Sequence, residues 1–276
     1  MAAAAIETVE RELAIVVGST DCPWGVGLLS WALNVETLLW TLEHEPDAIL
    51  LSFGDPRRFA DAVRESDAKL IIRVTDLEEA CTALDVGADV IVAQGSEAGG
   101  HGGRRATLPF VPAVVDLVAP TPVLAAGGIA DGRGLAAVLM LGAAGALVGT
   151  RFEASPEALV EASVTKAILE GSGGDTERSR VLDIARRSSW PHRYTARTLR
   201  NDFLDRWRGK EDKLREDDAV LDAYGLAVTD ADQGVVPIWA GEGIDLITEL
   251  SPATELVSVL VIEAEEAVSR IDQRSD

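Results

Sequence analysis

Short apolar runs alternate with amphipathic stretches along the first half of the chain. Six runs are apolar almost throughout: 24–29, 48–53, 69–74, 89–94, 122–126 and 145–149. Continuous apolar runs are typical of strands that are covered on both faces. Because strands and helical stretches alternate at intervals of about twenty to thirty residues, the pattern predicts right-handed βαβ crossovers and a parallel sheet.

The stretches between these runs predict amphipathic helices, for example over 56–66 and 76–87. In the second stretch, apolar residues recur at three- and four-residue spacing and mark one helix face: Leu77, Ala80, Cys81 and Leu84. Gly87 follows as a helix stop. On this face Cys81 is expected to be a packed thiol and not a nucleophile.

The pattern changes after Phe152. Residues 153–171 have a helical pattern, whereas 172–180 are rich in Gly, Ser, Asp and Arg and predict a loop. Residues 195–233 are strongly charged, and their predicted helical pieces are anchored by Leu199, Phe203, Leu204 and Trp207. In 253–271 the apolar residues share one face, which predicts a helix packed back on the preceding sheet.

The predicted fold is therefore α/β, with a parallel TIM-type (β/α) barrel. Its expected parts are a βα barrel over 1–171, a helical cap over 172–236 and a C-terminal segment over 237–276. A closed barrel takes eight strands, and six are visible. Because 6–17 has a helical pattern, with Val9, Leu13 and Val16 on one face, we expect a barrel incomplete at its N-terminus. The alternative is an open sheet of six strands.

The composition argues against some classes of binding partner and favours one cellular compartment. A formal net charge of −21 argues against nucleic acid or an anionic membrane, since both require clustered Lys and Arg. The longest apolar stretch, 134–149, is broken by glycines and does not predict a membrane span. With no signal-peptide pattern and only two cysteines, the sequence favours a reducing cytoplasm.

One glycine-rich loop carries the strongest indication of chemistry. Residues 93–103 read AQGSEAGGHGG directly after an apolar run, so five glycines follow a buried strand. Glycine lets backbone N–H groups approach a ligand closely. His101 is one of three histidines in the chain, and it stands where a barrel places its chemistry, beyond the C-terminal end of a strand. Glu97 either orients this loop or is a solvated carboxylate.

Two further glycine sites follow the next two predicted strands. Gly127 and Gly128 end one strand, and Gly149 and Thr150 end the next, one βα unit later. Loops after adjacent late strands of a barrel commonly form a phosphate site from backbone N–H groups. We favour phosphate binding here, with the Thr150 hydroxyl as a further donor. The alternative is that both pairs only form tight turns.

Three motifs resemble those of the nitronate monooxygenases, formerly called 2-nitropropane dioxygenases. They are AQGxEAGGHxG, AAGGIADG and GAxxGTRF, and the resemblance runs from Pro23 to Phe152. It returns in the segment PIWAGEG at 237–243, which is similar to a Trp-Ala-Gly-Gln-Gly segment of the family. The first motif is long and specific, whereas the other two also occur in other phosphate-binding barrels.

The resemblance implies an FMN-dependent monooxygenase that oxidises small nitronates or nitroalkanes with dioxygen. It places the FMN phosphate on Gly127, Gly128, Gly149 and Thr150. It also places Gln94 and the Gly99 and Gly100 backbone beside the flavin, and it makes His101 the catalytic base. Imidazole titrates near neutral pH, so it can accept a proton from a weakly acidic carbon.

The chain also departs from the family pattern. The family's first strand, with a Pro-Met pair, and the following Gly-Gly-Leu-Gly strand have no counterpart here. Gly27 stands where many members carry an asparagine near the flavin. We therefore expect weak FMN binding, no pairing between the strands at 24–29 and 145–149, and exposed sheet edges that invite homo-oligomer formation.

Two other functions remain open at this point. One is an FMN-dependent NAD(P)H oxidoreductase acting on quinones or enoyl thioesters, and the other is a non-catalytic remnant. The remaining histidines carry little information: His44 is expected to be exposed, and His192 stands in a turn at the start of the cap. No spacing of His, Cys or acidic residues predicts a metal site.

Overall fold

The computed structural model describes residues 3–230 and 234–272. A parallel sheet and its helices occupy the first half of the chain. In order, the elements are α1 (Ala3–Ser19), β1 (Gly25–Leu29), α2 (Val35–Leu42), β2 (Ala48–Ser52), α3 (Arg57–Arg64), β3 (Lys69–Val74), α4 (Leu77–Asp85), β4 (Val90–Gln94), β5 (Gly100–Gly102), α5 (Thr107–Val118), β6 (Val123–Ala126), α6 (Gly132–Met140) and β7 (Gly145–Leu147).

All six predicted strands form, and they pair in parallel in the order β1-β2-β3-β4-β6-β7. The register aligns buried apolar side chains across the sheet, in the row Leu51, Ile72, Ile91 and Val123. Burying each such side chain contributes about 1.5–3 kcal/mol. The prediction of consecutive βα units in one parallel barrel-type sheet is confirmed.

The sheet is open between its two edges. Within the described residues β1 pairs only with β2, and β7 pairs only with β6. The predicted helix at 6–17 is confirmed, since α1 precedes β1. The expectation that the first and last strands of the series do not pair with each other is also met.

Polar caps explain where the connecting helices begin. The side chains of Asn34, Asp76 and Asp131 each accept a hydrogen bond from the backbone N–H three residues later, at the starts of α2, α4 and α6. The predicted packed face of α4 is partly wrong, because Cys81 is exposed. Ala80 and Ala83 form the buried face instead, since their small side chains let the helix approach the sheet closely.

The second half of the chain contains short helices and two strands. Its elements are α7 (Thr150–Glu153), α8 (Ala162–Glu170), β8 (Thr176–Ser179), α9 (Val181–Ala185), β9 (Thr195–Leu199), α10 (Asp202–Trp207), α11 (Glu211–Arg215), α12 (Asp218–Thr229) and α13 (Ala253–Asp272). Single 3-10 turns lie at Gly173–Asp175 and Glu242–Leu246.

Two sequence-based expectations fail in this half. The predicted loop at 172–180 contains β8, and the predicted helical stretch at 195–233 begins with β9. Both strands are short and polar, so they lack the apolar run that marks a sheet strand. They form because they pair antiparallel with each other and with β5, which lies inside the glycine-rich loop. The part of the chain predicted to be a helical cap therefore also contains a small sheet.

The cap helices have an apolar cluster of their own, which includes Val181, Leu182, Phe203, Leu204, Leu214, Leu221 and Tyr224. The predicted terminal helix is confirmed as α13, which packs against α6. There the Glu263 carboxylate accepts a hydrogen bond from the Gly132 N–H at 2.8 Å. Within 3–230 and 234–272, no helix is both long and apolar enough to span a membrane.

Candidate active site

A cavity of about 360 Å³ opens at the C-terminal ends of β3, β4, β6 and β7. A volume of this size is in the range of small-molecule and cofactor sites. Its wall contains all seven residues expected to bind a cofactor: Gln94, Gly99, Gly100, Gly127, Gly128, Gly149 and Thr150. The structure therefore brings together three motifs that lie up to fifty-odd residues apart in the chain.

The backbone at the second glycine motif requires glycine. Gly127 and Gly128 have φ values of +110° and +73°, a region that side chains rarely adopt. A Cβ on Gly127 would also stand 3.0 Å from the Gly95 carbonyl oxygen. The N–H groups of Gly128 and Gly149 make no backbone hydrogen bond within the described residues, so both are available to a ligand.

The C-terminal motif at 237–243 reaches the same cavity. The Gly241 N–H donates to Thr150 Oγ1 at 3.1 Å, which leaves the hydroxyl proton of Thr150 free to be donated to a ligand. The Glu242 N–H donates to the Glu97 carbonyl oxygen at 2.9 Å. The Glu97 carboxylate accepts from the Thr107 N–H and hydroxyl, so it orients the loop and is not a solvated surface group.

Two residues of the cavity wall each carry a buried polar atom without a partner in the described residues: Gln94 Oε1 and Arg73 Nε. The other end of the Gln94 amide is held, because Nε2 donates to the His101 carbonyl oxygen at 3.0 Å. Burial lowers the pKa of Arg73. Buried polar groups are almost always paired, so an unpaired acceptor and an unpaired donor on two wall residues are candidate contacts for a bound ligand.

These groups fit FMN. The pyrimidine edge of a flavin carries one N–H between two carbonyl groups, which suits the Gln94 acceptor and the Arg73 donor. The free N–H groups of Gly128 and Gly149, together with the Thr150 hydroxyl, suit its phosphate. Glu153 lies on the same wall, and burial raises its pKa to about 7.

His101 is not one of the residues that line this cavity, but it lies next to Trp239, which does line it. The His101 Nε2 stands 2.9 and 3.0 Å from the two carboxylate oxygens of Asp183 in α9. The two side chains are only 9% and 2% exposed. Arg186 Nη2 donates to Asp183 Oδ1 at 2.8 Å, so the carboxylate is bonded from two sides.

Two tryptophans flank the imidazole. The Trp190 ring stacks on it with centroids 3.5 Å apart and planes 6° apart. Trp239 lies 5.6 Å from it and lines the cavity, with the Arg186 guanidinium 4.9 Å from its ring. Asp183 and Trp190 were not found from the sequence, because each is more than eighty residues from His101 and belongs to no recognisable motif.

Arginines of the small antiparallel sheet hold the glycine-rich loop in place. Arg178 donates to the carbonyl oxygens of Ser96, Ala98 and Gly100 at 3.1, 2.8 and 3.3 Å. Arg197 Nε donates to the Ser96 carbonyl oxygen at 2.9 Å. Burial lowers the pKa of Arg178 to about 10. Sequence reasoning missed both arginines, since the strands that carry them were not predicted.

The other two histidines stand apart from the cavity. His44 Nδ1 bonds to the Trp40 carbonyl oxygen at 2.9 Å, and His192 Nδ1 bonds to Arg180. Among the described residues, no three His, Cys, Asp or Glu side chains are grouped closely enough to hold a metal ion.

A family model and a related protein that match this chain both carry the same description. A family model described as nitronate monooxygenase matches residues 2–263. The nitronate monooxygenase npaC of Metarhizium robertsii is 35% identical over 264 residues, which cover 87% of this chain and 72% of that protein.

Two solved structures are similar over most of the chain. FabK from Thermotoga maritima has a TM-score of 0.84 at 26% identity, over 96% of this chain and 83% of its own. Nitroalkane oxidase from Streptomyces ansochromogenes has a TM-score of 0.81 at 25% identity, over 96% and 87%. The resemblance read from the three motifs is confirmed by a model match over nearly the whole sequence. The chain therefore belongs to the nitronate monooxygenase family of oxidoreductases.

Proposed function

We propose that this chain binds FMN in the cavity between β3 and β7 and uses it to oxidise alkyl nitronates with dioxygen. The observation that carries the proposal is the convergence of Gln94 and six backbone-exposing positions on one cavity. The similarity to a structure described as nitroalkane oxidase supports the substrate class.

In this proposal, different residues of the cavity wall bind different parts of FMN. The N–H groups of Gly128 and Gly149 and the hydroxyl of Thr150 hold the phosphate, with Gly127 shaping the turn. Gln94 Oε1 and Arg73 Nε bind the polar edge of the ring, beside the Gly99 and Gly100 backbone. FMN supplies the electron transfer from the substrate and the reaction with dioxygen.

His101 is the proposed base. It removes a proton from the carbon that bears the nitro group, and the electron pair of the broken C–H bond moves onto the nitro oxygens to give the nitronate. Trp190 covers one face of the imidazole, so the substrate must approach the edge of the ring or its other face. A preformed nitronate has already lost this proton and does not require the base.

The test of the base is the variant His101→Asn, assayed in parallel with nitroethane and with its preformed nitronate. Loss of a base costs about a hundred- to ten-thousand-fold, so kcat/KM for nitroethane should fall by that order. The value for the nitronate should change by less than about tenfold. His44→Asn is the matched control and should leave both values unchanged. Equal losses with the two substrates would refute the role.

A separate experiment tests FMN binding and the alternative function as a reductase. The protein reconstituted with FMN should bind it more tightly than riboflavin, because the phosphate site contributes only to FMN. Anaerobic mixing with NADH should leave the flavin oxidised. Rapid bleaching by NADH would instead favour an FMN-dependent NAD(P)H oxidoreductase, and failure to bind any flavin would favour a non-catalytic remnant.

A reducing cytoplasm remains the proposed location, in keeping with the unpaired thiols of Cys22 and Cys81.

A further inference from the structure

The sequence places no residue beside the proposed base, yet the fold gives it a buried carboxylate. Asp183 lies in α9, whose other four residues belong to the apolar cluster of the cap, and it is one of the least exposed charged side chains in the described chain. Its carboxylate has two partners, Arg186 and the His101 Nε2. Burying a carboxylate is costly unless its oxygens are bonded, and these two contacts offset that cost.

A carboxylate can only accept hydrogen bonds, so the atom it faces must carry a proton. His101 Nε2 is therefore the N–H nitrogen. Nδ1 makes no hydrogen bond within the described residues, so it is free to accept a proton. We propose that Asp183 is a positioning residue, which holds His101 in the Nε2–H tautomer and so makes Nδ1 the atom that takes the substrate proton.

This inference rests on the proposed function, since it assumes that His101 is the base. In the step, the C–H bond of the nitroalkane breaks and an Nδ1–H bond forms, while the electron pair stays on the nitronate. The imidazolium that results has a negative partner on its Nε2 side. Trp190 stacks on the ring and restrains its rotation, so the Nδ1 edge keeps one direction.

Arg186 makes the conservative variant Asp183→Asn a sharp test. A guanidinium only donates hydrogen bonds, so Arg186 should keep the amide oxygen of Asn on its own side. The amide NH₂ then faces Nε2 and can only donate to it. The imidazole must move its proton to Nδ1, which removes the basic atom from the substrate side. The same carboxylate-to-amide change at a serine protease triad costs on the order of ten-thousand-fold by this route.

The first measurement needs no activity. The protein has three histidines, so ¹⁵N-histidine NMR of the FMN-bound protein can resolve each ring. The wild type should show His101 as the Nε2–H tautomer, and Asp183→Asn should show the Nδ1–H tautomer. Asp222→Asn, which removes an exposed carboxylate bonded to Arg187, should leave the tautomer unchanged. An Nδ1–H form in the wild type, or no change in Asp183→Asn, would overturn the assignment.

The second measurement is kinetic. Asp183→Asn should lose at least about a hundred-fold in kcat with nitroethane and less than about tenfold with the preformed nitronate. Removing the donor as well, in Asp183→Asn with Arg186→Met, should let the amide turn its oxygen to Nε2 and restore part of the nitroethane activity. Equal losses with both substrates would assign Asp183 a merely structural role. Because the NMR result does not depend on catalysis, it separates failure of this inference from failure of the proposed function.

Discussion

At the residue scale, Glu153 is the only acidic residue among the described residues that line the cavity. It is three positions after Thr150, and no hydrogen bond or ion pair holds its carboxyl group within the described chain. Burial raises its pKa to about 7, so it changes charge in the physiological range. The same cavity is proposed to hold a phosphate, which a neutral carboxyl tolerates and a carboxylate repels.

We therefore predict that FMN affinity falls as pH rises through about 7. Glu153→Gln is uncharged at every pH and should flatten this dependence, with the larger gain in affinity above pH 7. Fluorescence titration with FMN between pH 6 and 8.5 measures the affinity at each pH, and the midpoint of the change should lie near that pKa. Riboflavin lacks the phosphate and serves as the control ligand. The exposed Glu170→Gln is the control. An unchanged pH dependence in Glu153→Gln would rule out this carboxyl.

The same shift has a consequence for stability. The folded-state pKa of Glu153, about 7, lies above its ordinary value of 4.5, so the folded protein binds the proton more tightly than the unfolded chain. The contribution of Glu153 to the free energy of unfolding is therefore most favourable below pH 4.5, and it is lost as pH rises through about 7. In urea unfolding of the FMN-free protein, Glu153→Gln should be less sensitive to pH than the wild type across this range.

At the element scale, the small sheet of β5, β9 and β8 connects the cap to the glycine-rich loop. Arg178 is the main link, because its guanidinium bonds the carbonyl oxygens of three loop residues. A rigid fork of donors of this kind can fix several carbonyl groups at once. The loop would otherwise depend on glycines, which favour no single conformation.

Arg178→Met should destabilise the protein by on the order of 3 kcal/mol, because it leaves several carbonyl oxygens without their donor. FMN affinity should fall as well, since Gly99 and Gly100 line the cavity. Urea unfolding and flavin titration measure the two effects. Arg178→Lys keeps the charge but not the fork and should be intermediate. Arg208→Met, at a surface salt bridge with Glu177, should change stability much less than Arg178→Met.

At the scale of the whole molecule, the parallel sheet has two free edges within the described residues, β1 and β7. An edge strand presents unpaired N–H and C=O groups that can pair with another chain. The last residue of β1, Leu29, is exposed there and adds apolar surface. The predicted homo-oligomer follows from these edges and stays a prediction.

Sedimentation of this chain should therefore show concentration-dependent self-association. Leu29→Lys places a charge on the β1 edge and should shift the distribution toward the monomer, since charged edges oppose strand addition. Leu159→Lys makes the same change at an exposed leucine outside the sheet and should have no effect. A wild-type monomer at every concentration, with FMN tightly bound, would contradict both the edge argument and the expected weak cofactor binding.

The sequence by itself determined the parallel sheet and the wall of the cavity. The six strands could be predicted within one or two residues at each end because each is a continuous apolar run between helical patterns. Gly127 and Gly128 could be singled out because positive φ values leave few alternatives to glycine. These are local constraints, in which the chemistry of a residue and its immediate neighbours decides the conformation.

Only the tertiary structure decided what surrounds the proposed base. Asp183 and Trp190 reach His101 across more than eighty residues, and no local pattern marks either one. The strands β8 and β9 were missed because they are short and polar, and they form only by pairing with β5 and with each other. Cys81 was misplaced because the packing of two alanines against the sheet, and not average hydrophobicity, chose the buried face of α4. Contacts of this kind depend on the relative positions of whole elements, which periodicity along the chain does not encode.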